Sequence, residues 1–174
     1  DAPVLVIVSP LAGAVIRGTS LLVARASDAS SPIESVDAAL DGAAALSMLR
    51  DPADASRFTL QLAGLVDGAH SLSVEARDTA ANSARIDDHP FIVDDTPPVV
   101  VFSGVVDGQV SNAASLVPVV SVVAASLKKT AVTLDGQPFT SGTPVSTEGN
   151  HELSATGVDR AGNSSQSGLS CSVE

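Results

Sequence analysis

The 174-residue chain contains no Trp, no Tyr, four Phe and a single Cys. Platforms that stack on nucleobases or sugar rings are built from aromatic side chains, so an exposed carbohydrate-stacking or base-stacking face is hard to build here. One cysteine cannot close an intramolecular disulfide, and no Cys or His cluster has metal-ligand spacing, so the fold must hold by packing. Cys171 is expected as a small, half-buried residue of the last strand, with an intermolecular crosslink as the alternative. Positive charge is also scarce: 9 Lys and Arg stand against 20 Asp and Glu, for a net charge of −11. Phosphate backbones and anionic membranes would be repelled, which argues against nucleic acid as a partner. No apolar run nears the roughly 20 residues needed to span a bilayer, and the longest, around residues 117–125, is broken by Pro118 and Ser121. The segment is therefore expected to be soluble, without membrane insertion. No basic stretch followed by an apolar one opens the chain, so an export signal or anchor is expected outside it.

What the chain does have is an internal repeat. Gly68-Ala69-His70-Ser71-Leu72-Ser73 recurs 81 positions on as Gly149-Asn150-His151-Glu152-Leu153-Ser154, and Asp78-Thr79-Ala80-Ala81-Asn82 recurs at the same offset as Asp159-Arg160-Ala161-Gly162-Asn163. Earlier in each unit the offset is 94, from Leu40-Asp41-Gly42 to Leu134-Asp135-Gly136, so the first unit carries 13 extra residues between Gly42 and Gly68. An insertion of that size is expected in a connection between strands. The boundary falls at Asp94-Asp95-Thr96-Pro97-Pro98, where paired prolines block helix and central-strand pairing. This predicts one domain over 1–95 and a second over 96–174.

Within each unit the apolar period is two. Leu72, Val74 and Ala76 alternate with Ser73, Glu75 and Arg77, the pattern of a half-buried antiparallel strand. Val36, Ala38 and Leu40 run similarly into the Asp41-Gly42 turn signal, repeated at Asp135-Gly136. With the Val-rich openings after Pro3 and Pro98, and the segments 20–26, 58–62 and 85–93, each unit reads as about seven short strands. That is the size and spacing of an all-β, immunoglobulin-like antiparallel sandwich, here two in tandem. Residues 43–49 could form a short helix by propensity, but an irregular strand fits the context better. Pro118 falls inside the second unit's equivalent of segment 20–26, so that strand should start late or bulge.

Two motifs could carry chemistry. Asp78, Asn82, Asp159, Gly162 and Asn163 sit where a hairpin must turn, and the aspartates can accept backbone N–H bonds there while the fourth residue of each motif takes a positive φ. Gly162 suits that conformation. Ala81 would pay roughly 1 kcal/mol or more for it, so the first hairpin is expected to differ in shape. Catalysis or calcium binding by these aspartates is the competing role. His70 and His151 each follow a Gly by two residues and precede an inward Leu by two, the place of the tyrosine in an immunoglobulin tyrosine corner. A ring there would pack under the loop and donate to a backbone carbonyl; neither histidine has a nucleophile or second ligand nearby in sequence. No phosphate loop, nucleophile elbow, zinc-protease helix or EF-hand pattern occurs, so no enzyme is expected.

The strings Leu134-Asp135-Gly136-Gln137-Pro138-Phe139, Glu148-Gly149-Asn150-His151-Glu152-Leu153 and Val158-Asp159-Arg160-Ala161-Gly162-Asn163 resemble bacterial immunoglobulin-like repeat domains, and the first unit does so through Leu65-Val66-Asp67-Gly68-Ala69-His70-Ser71-Leu72. The resemblance implies export, a cell-surface or secreted setting and a multi-domain parent, with no shared catalytic residues. The expected role is a non-catalytic spacer, monomeric, whose partners are other domains of the same polypeptide. The alternative is a recognition module binding a surface protein or glycan through end loops or the 13-residue insertion. No cofactor is expected. Calcium stays a candidate at the junction, where Asp87, Asp88, Asp94, Asp95 and Asp107 gather in sequence, with mutual repulsion and solvation the competing fate of these acids.

Overall fold

The computed structural model describes all residues from Asp1 to Glu174 and contains strands and turns with no helix. The chain forms two compact units, Asp1–Asp95 and Thr96–Glu174. In chain order the first unit holds β1 (Val4–Ser9), β2 (Val15–Ile16), β3 (Ser20–Ser27), β4 (Ile33–Leu40), β5 (Leu46–Ser47), β6 (Leu49–Arg50), β7 (Arg57–Leu62), β8 (Gly68–Asp78) and β9 (Ser83–Val93). The second holds β10 (Val99–Ser103), β11 (Gln109–Ser111), β12 (Val119–Val123), β13 (Leu127–Leu134), β14 (Gln137–Pro138), β15 (Gly149–Asp159) and β16 (Ser164–Val173).

The first unit is a two-sheet sandwich of order β1-β3-β7-β6 and β2-β9-β8-β4-β5. Its core follows from the period-two pattern. Leu22, Ala24 and Ala26 of β3 and Phe58 of β7 face Val36 and Ala38 of β4 and Leu72, Val74 and Ala76 of β8, all buried in one cluster. Small residues recur in that cluster, and Phe58 and Phe91 are its largest fully buried side chains. Each bulky ring therefore fills space that no other side chain covers.

The second unit keeps one sheet of the same order, β11-β16-β15-β13-β14, and reduces the other to β10-β12. Even the irregularity at the start of β4, between Ile33 and Ser35, recurs between Leu127 and Lys129 of β13. The 13 extra residues of the first unit are not a longer connection. They belong to the stretch that supplies β5, β6 and β7, and β7 pairs with β3 from Ser20↔Leu62 to Arg25↔Arg57. Residues 43–45 form no strand, and β5 begins at Leu46.

In the second unit an irregular segment follows the path of the missing strand. Val145 exchanges both backbone bonds with Leu116, Gly142 N–H donates to Pro118 O at 2.8 Å, and the Ser141 hydroxyl meets both the N–H (2.7 Å) and the C=O (3.1 Å) of Val120. Counting from the matched pairs Val4↔Ser27 and Val99↔Val123 places Pro118 at the position of Leu22. β12 starts at the next residue, Val119. A proline there has no N–H to offer a neighbouring strand, and a hydroxyl closes the edge beside it, a common way of blunting a sheet edge. The consequence reaches the core: Thr130, which matches the buried Val36, is exposed, while Phe102, Val120, Val132, Leu134 and Phe139 are only half-buried around Leu153 and Leu169.

Close approach of the two sheets in the second unit depends on one glycine. A Cβ at Gly157 would lie 2.5 Å from Val122 Cγ1 and 3.0 Å from Pro98 Cβ. Phe58→Ala is expected to lower the stability of the first unit by about 3–5 kcal/mol, because the two-sheet core cannot collapse onto the vacated ring. Calorimetry of the whole chain should show one transition moving down and the other unchanged.

Candidate functional site

Two clusters recur at equivalent places in both units, and they contain every residue that the sequence put forward for chemistry apart from the junction acids. The first is the hairpin between β8 and β9, repeated between β15 and β16. Asp78 Oδ1 accepts the N–H groups of Ala80 (2.9 Å) and Asn82 (2.8 Å), and Oδ2 accepts Asn82 Nδ2 (2.9 Å). Asp159 takes the Asn163 N–H and Nδ2 groups, each at 2.8 Å. Both aspartates are fully buried. The Asn82 side chain, then the backbone N–H groups of Asn82 and Ala80, hold the Asp78 carboxyl below its ordinary range against the opposing push of burial.

The two hairpins have the same shape, which corrects the expectation for Ala81. It stands at φ 66° where Gly162 stands at φ 88°, and Ala81 N–H and Gly162 N–H each reach back to the aspartate carbonyl. The carboxylate bonds outweigh the strain of an L-residue in the left-handed region.

The second cluster is built on the turn after β4 or β13 and the start of β8 or β15. Asp41 and Asp135 open these turns at φ 50° and 51°. One carboxylate oxygen of Asp41 accepts Ser71 N–H at 2.8 Å and the other meets His70 Nδ1 at 2.7 Å, while His70 Nε2 meets Val66 O at 2.9 Å. In the second unit Asp135 accepts Glu152 N–H at 2.8 Å and meets His151 Nδ1 at 2.7 Å, with Nε2 to Thr147 O at 2.8 Å. The histidine side chains are 9% and 7% exposed. Both ring nitrogens face acceptors in each case. The carbonyl of Val66 or Thr147, and after it the carboxylate, pushes each histidine above its ordinary value against the opposing effect of burial.

The carboxyls respond in turn. Asp135 is held low by Glu152 N–H and then by His151. Burial pushes Asp41 up, and the His70 bond, Ser71 N–H and the charge of His70 together outweigh it, leaving the group below its ordinary range. Sequence reasoning treated Asp41 and Asp135 only as turn residues. The signal that points to their second role is that Leu-Asp-Gly and Gly-x-His recur together in both units.

His70 pairs across the ladder with Phe91 and stacks on it, ring centroids 5.5 Å apart, whereas His151 pairs with Cys171. Cys171 is buried in β16, and burial followed by the negative charge of Asp135 pushes its thiol up, away from the reactive thiolate.

Of the junction acids, Asp87, Asp95 and Asp107 each meet partners within their own unit. Asp87 pairs with Arg85. Asp94 is buried, Asp95 accepts Gly18 N–H, and Asp67 accepts Asp95 N–H. Asp107 accepts Ser170 N–H and its hydroxyl, beside Cys171 and so at the His151 end of the second unit. Pro98 lies against Gly157, six residues along β15 from His151, or roughly 20 Å at about 3.3 Å per residue. No three His, Cys, Asp or Glu side chains form a group able to hold a metal ion.

Chemically, these clusters are closed. A general base or metal ligand needs a free ring lone pair, and in both histidines each nitrogen already faces an oxygen.

The family of bacterial Ig domains matches residues 3–74. Among solved structures, the fibronectin(III)-like modules of Clostridium thermocellum CbhA superpose on 98% of this chain and 94% of that chain, at a TM-score of 0.55 and 17% identity. A 1.5-MDa bacterial ice-binding adhesin aligns over 100% of this chain and 66% of that structure, at a TM-score of 0.49 and 16% identity. No curated protein matches the chain in sequence. The likeness to bacterial Ig domains therefore holds in sequence over residues 3–74, and the chain as a whole shares its fold with the fibronectin(III)-like modules. No helix is long and apolar enough to cross a membrane.

The shared hairpin geometry gives a reciprocal expectation. Gly162→Ala should cost about 1 kcal/mol in the second unit, since an L-residue pays that to stand at positive φ. Ala81→Gly should leave the first unit equally stable or up to about 1 kcal/mol more stable, the relieved strain being partly offset by unfolded-chain entropy. Denaturant midpoints of the two variants would check both.

Proposed function

We propose that these bacterial immunoglobulin-like units are a non-catalytic spacer, setting a functional part of a larger secreted or surface protein at a distance from its anchor. One observation carries this reading: the side chains that could do chemistry, Asp41, His70, Asp78, Asp135, His151 and Asp159, spend their polar atoms on the backbone and side chains of their own unit. They do so twice, at matched positions, as expected of modules kept for their fold. The family match and the likeness to fibronectin(III)-like modules support the same reading. Pro97 and Pro98 suit a stiff link, because each fixes φ and removes a donor.

A recognition role has one observation of its own. Between β4–β5 and the end of β7 the first unit has an apolar cavity of about 210 Å³, bordered by Ala43, Ala44, Leu46, Leu60, Leu65 and Leu72. In the second unit Phe139, opposite Val132, takes the place that Leu46, opposite Ala38, has in the first, and it packs against the core. Ala44→Phe in the first unit would fill the cavity without removing β7. Loss of binding to cell-surface material in that variant, with stability retained, would favour recognition.

The spacer reading is tested by small-angle scattering and activity screening of the whole chain. An extended monomer without turnover is expected. A compact particle or reproducible hydrolysis would overturn it.

A further inference from the structure

We propose that the Asp41–His70 and Asp135–His151 pairs are proton-dependent latches, which hold the segments ahead of β8 and β15 while the ring is doubly protonated and release them when it loses a proton. The geometry requires two protons. A neutral imidazole has one N–H donor and one lone pair, yet Nδ1 meets a carboxylate oxygen and Nε2 a carbonyl oxygen at 2.7 to 2.9 Å in both units. Only the imidazolium satisfies both contacts.

The charge-assisted bond to Asp is the stronger of the two, so the proton that leaves is the one on Nε2. Its lone pair then faces the carbonyl of Val66 or Thr147. Lone pair against lone pair is repulsive, and the ring is too buried for water to intervene readily. The part set free is the short stretch around that carbonyl, residues 66–67 in the first unit and 146–148 in the second, because Leu65 stays bonded to Gly18 and Val145 to Leu116. The Asp turn stays tied through Ser71 N–H or Glu152 N–H.

The carboxylate touching each ring favours the protonated form, Asp41 for His70 and Asp135 for His151, and other charged and titratable groups lie on the neighbouring segments. At the His70 end these are Asp67, Asp94 and Asp95, with Arg17 beside Gly18 as the basic side chain of that end. Facing His151 are Asp135 and Cys171, with Asp107, Glu148 and Glu152 on the neighbouring segments. The folded-state value is raised above the unfolded 6.5 in both rings. The latch therefore contributes its full stability below pH 6.5, and that contribution is lost as pH rises through the folded value.

Nitrogen NMR on the intact chain tests this directly. At pH 6 both ring nitrogens of His70 and His151 should give protonated signals, each ring should titrate with a midpoint above 6.5, and amide protection of Leu65 and Val145, the bonded residues beside each latched stretch, corrected for intrinsic exchange, should fall through the same midpoint. Asp135→Asn should bring the His151 midpoint down and leave that of His70 in place, a response that packing alone would not produce. A neutral tautomer at pH 6, a midpoint at or below 6.5, or protection that ignores the titration would overturn the proposal.

Discussion

Both units depend on one long strand, β8 in the first and β15 in the second, eleven residues each. Its middle supplies the deepest apolar residues, Leu72, Val74 and Ala76 or Leu153, Ala155 and Gly157. Its two ends are tied by ionic side chains, a histidine at the start and an aspartate at the finish. A strand anchored at both ends cannot slip by a residue without exposing its apolar face and breaking both anchors. The neighbouring strands take their register from it, which explains why β4 and β13 share an irregularity at the same place.

That anchoring lets the opposite sheet vary. The first unit spends its extra residues on β5, β6 and β7, and with Phe58 it closes a fully buried core. The second keeps β14 in the place of β5, lacks counterparts of β6 and β7, and covers the exposed edge with Ser141 and Pro118. Its core is shallower, with the inward residues of β12 and β13 only half-buried. A fold whose register is held from one sheet tolerates thinning of the other, provided that the edge left behind cannot pair.

The clusters that resemble sites are part of the same anchoring. A buried carboxylate is costly unless each oxygen finds donors, and Asp78 and Asp159 find them in their own turn. A buried imidazolium is costly in the same way, and its two protons are met by a carboxylate and a carbonyl. Chemistry on a substrate would need one of those partners to be given up.

The all-β, immunoglobulin-like class was legible in the order of residues because strand alternation, turn residues and repeats are local signals. Leu72, Val74 and Ala76 announce a half-buried strand without any knowledge of what covers them, and Pro118 announces a late-starting one. Other features depended on residues far apart in sequence. That the extra 13 residues belong to a stretch of paired strands, that Ala81 accepts a glycine conformation, that Asp41 reaches His70 across 29 positions, and that Asp107 lies far from Pro98 were decided by the tertiary structure. Local patterning reports which face of a segment is apolar. Only packing sets which long-range hydrogen bonds are strong enough to overrule a backbone preference or draw a charge inside.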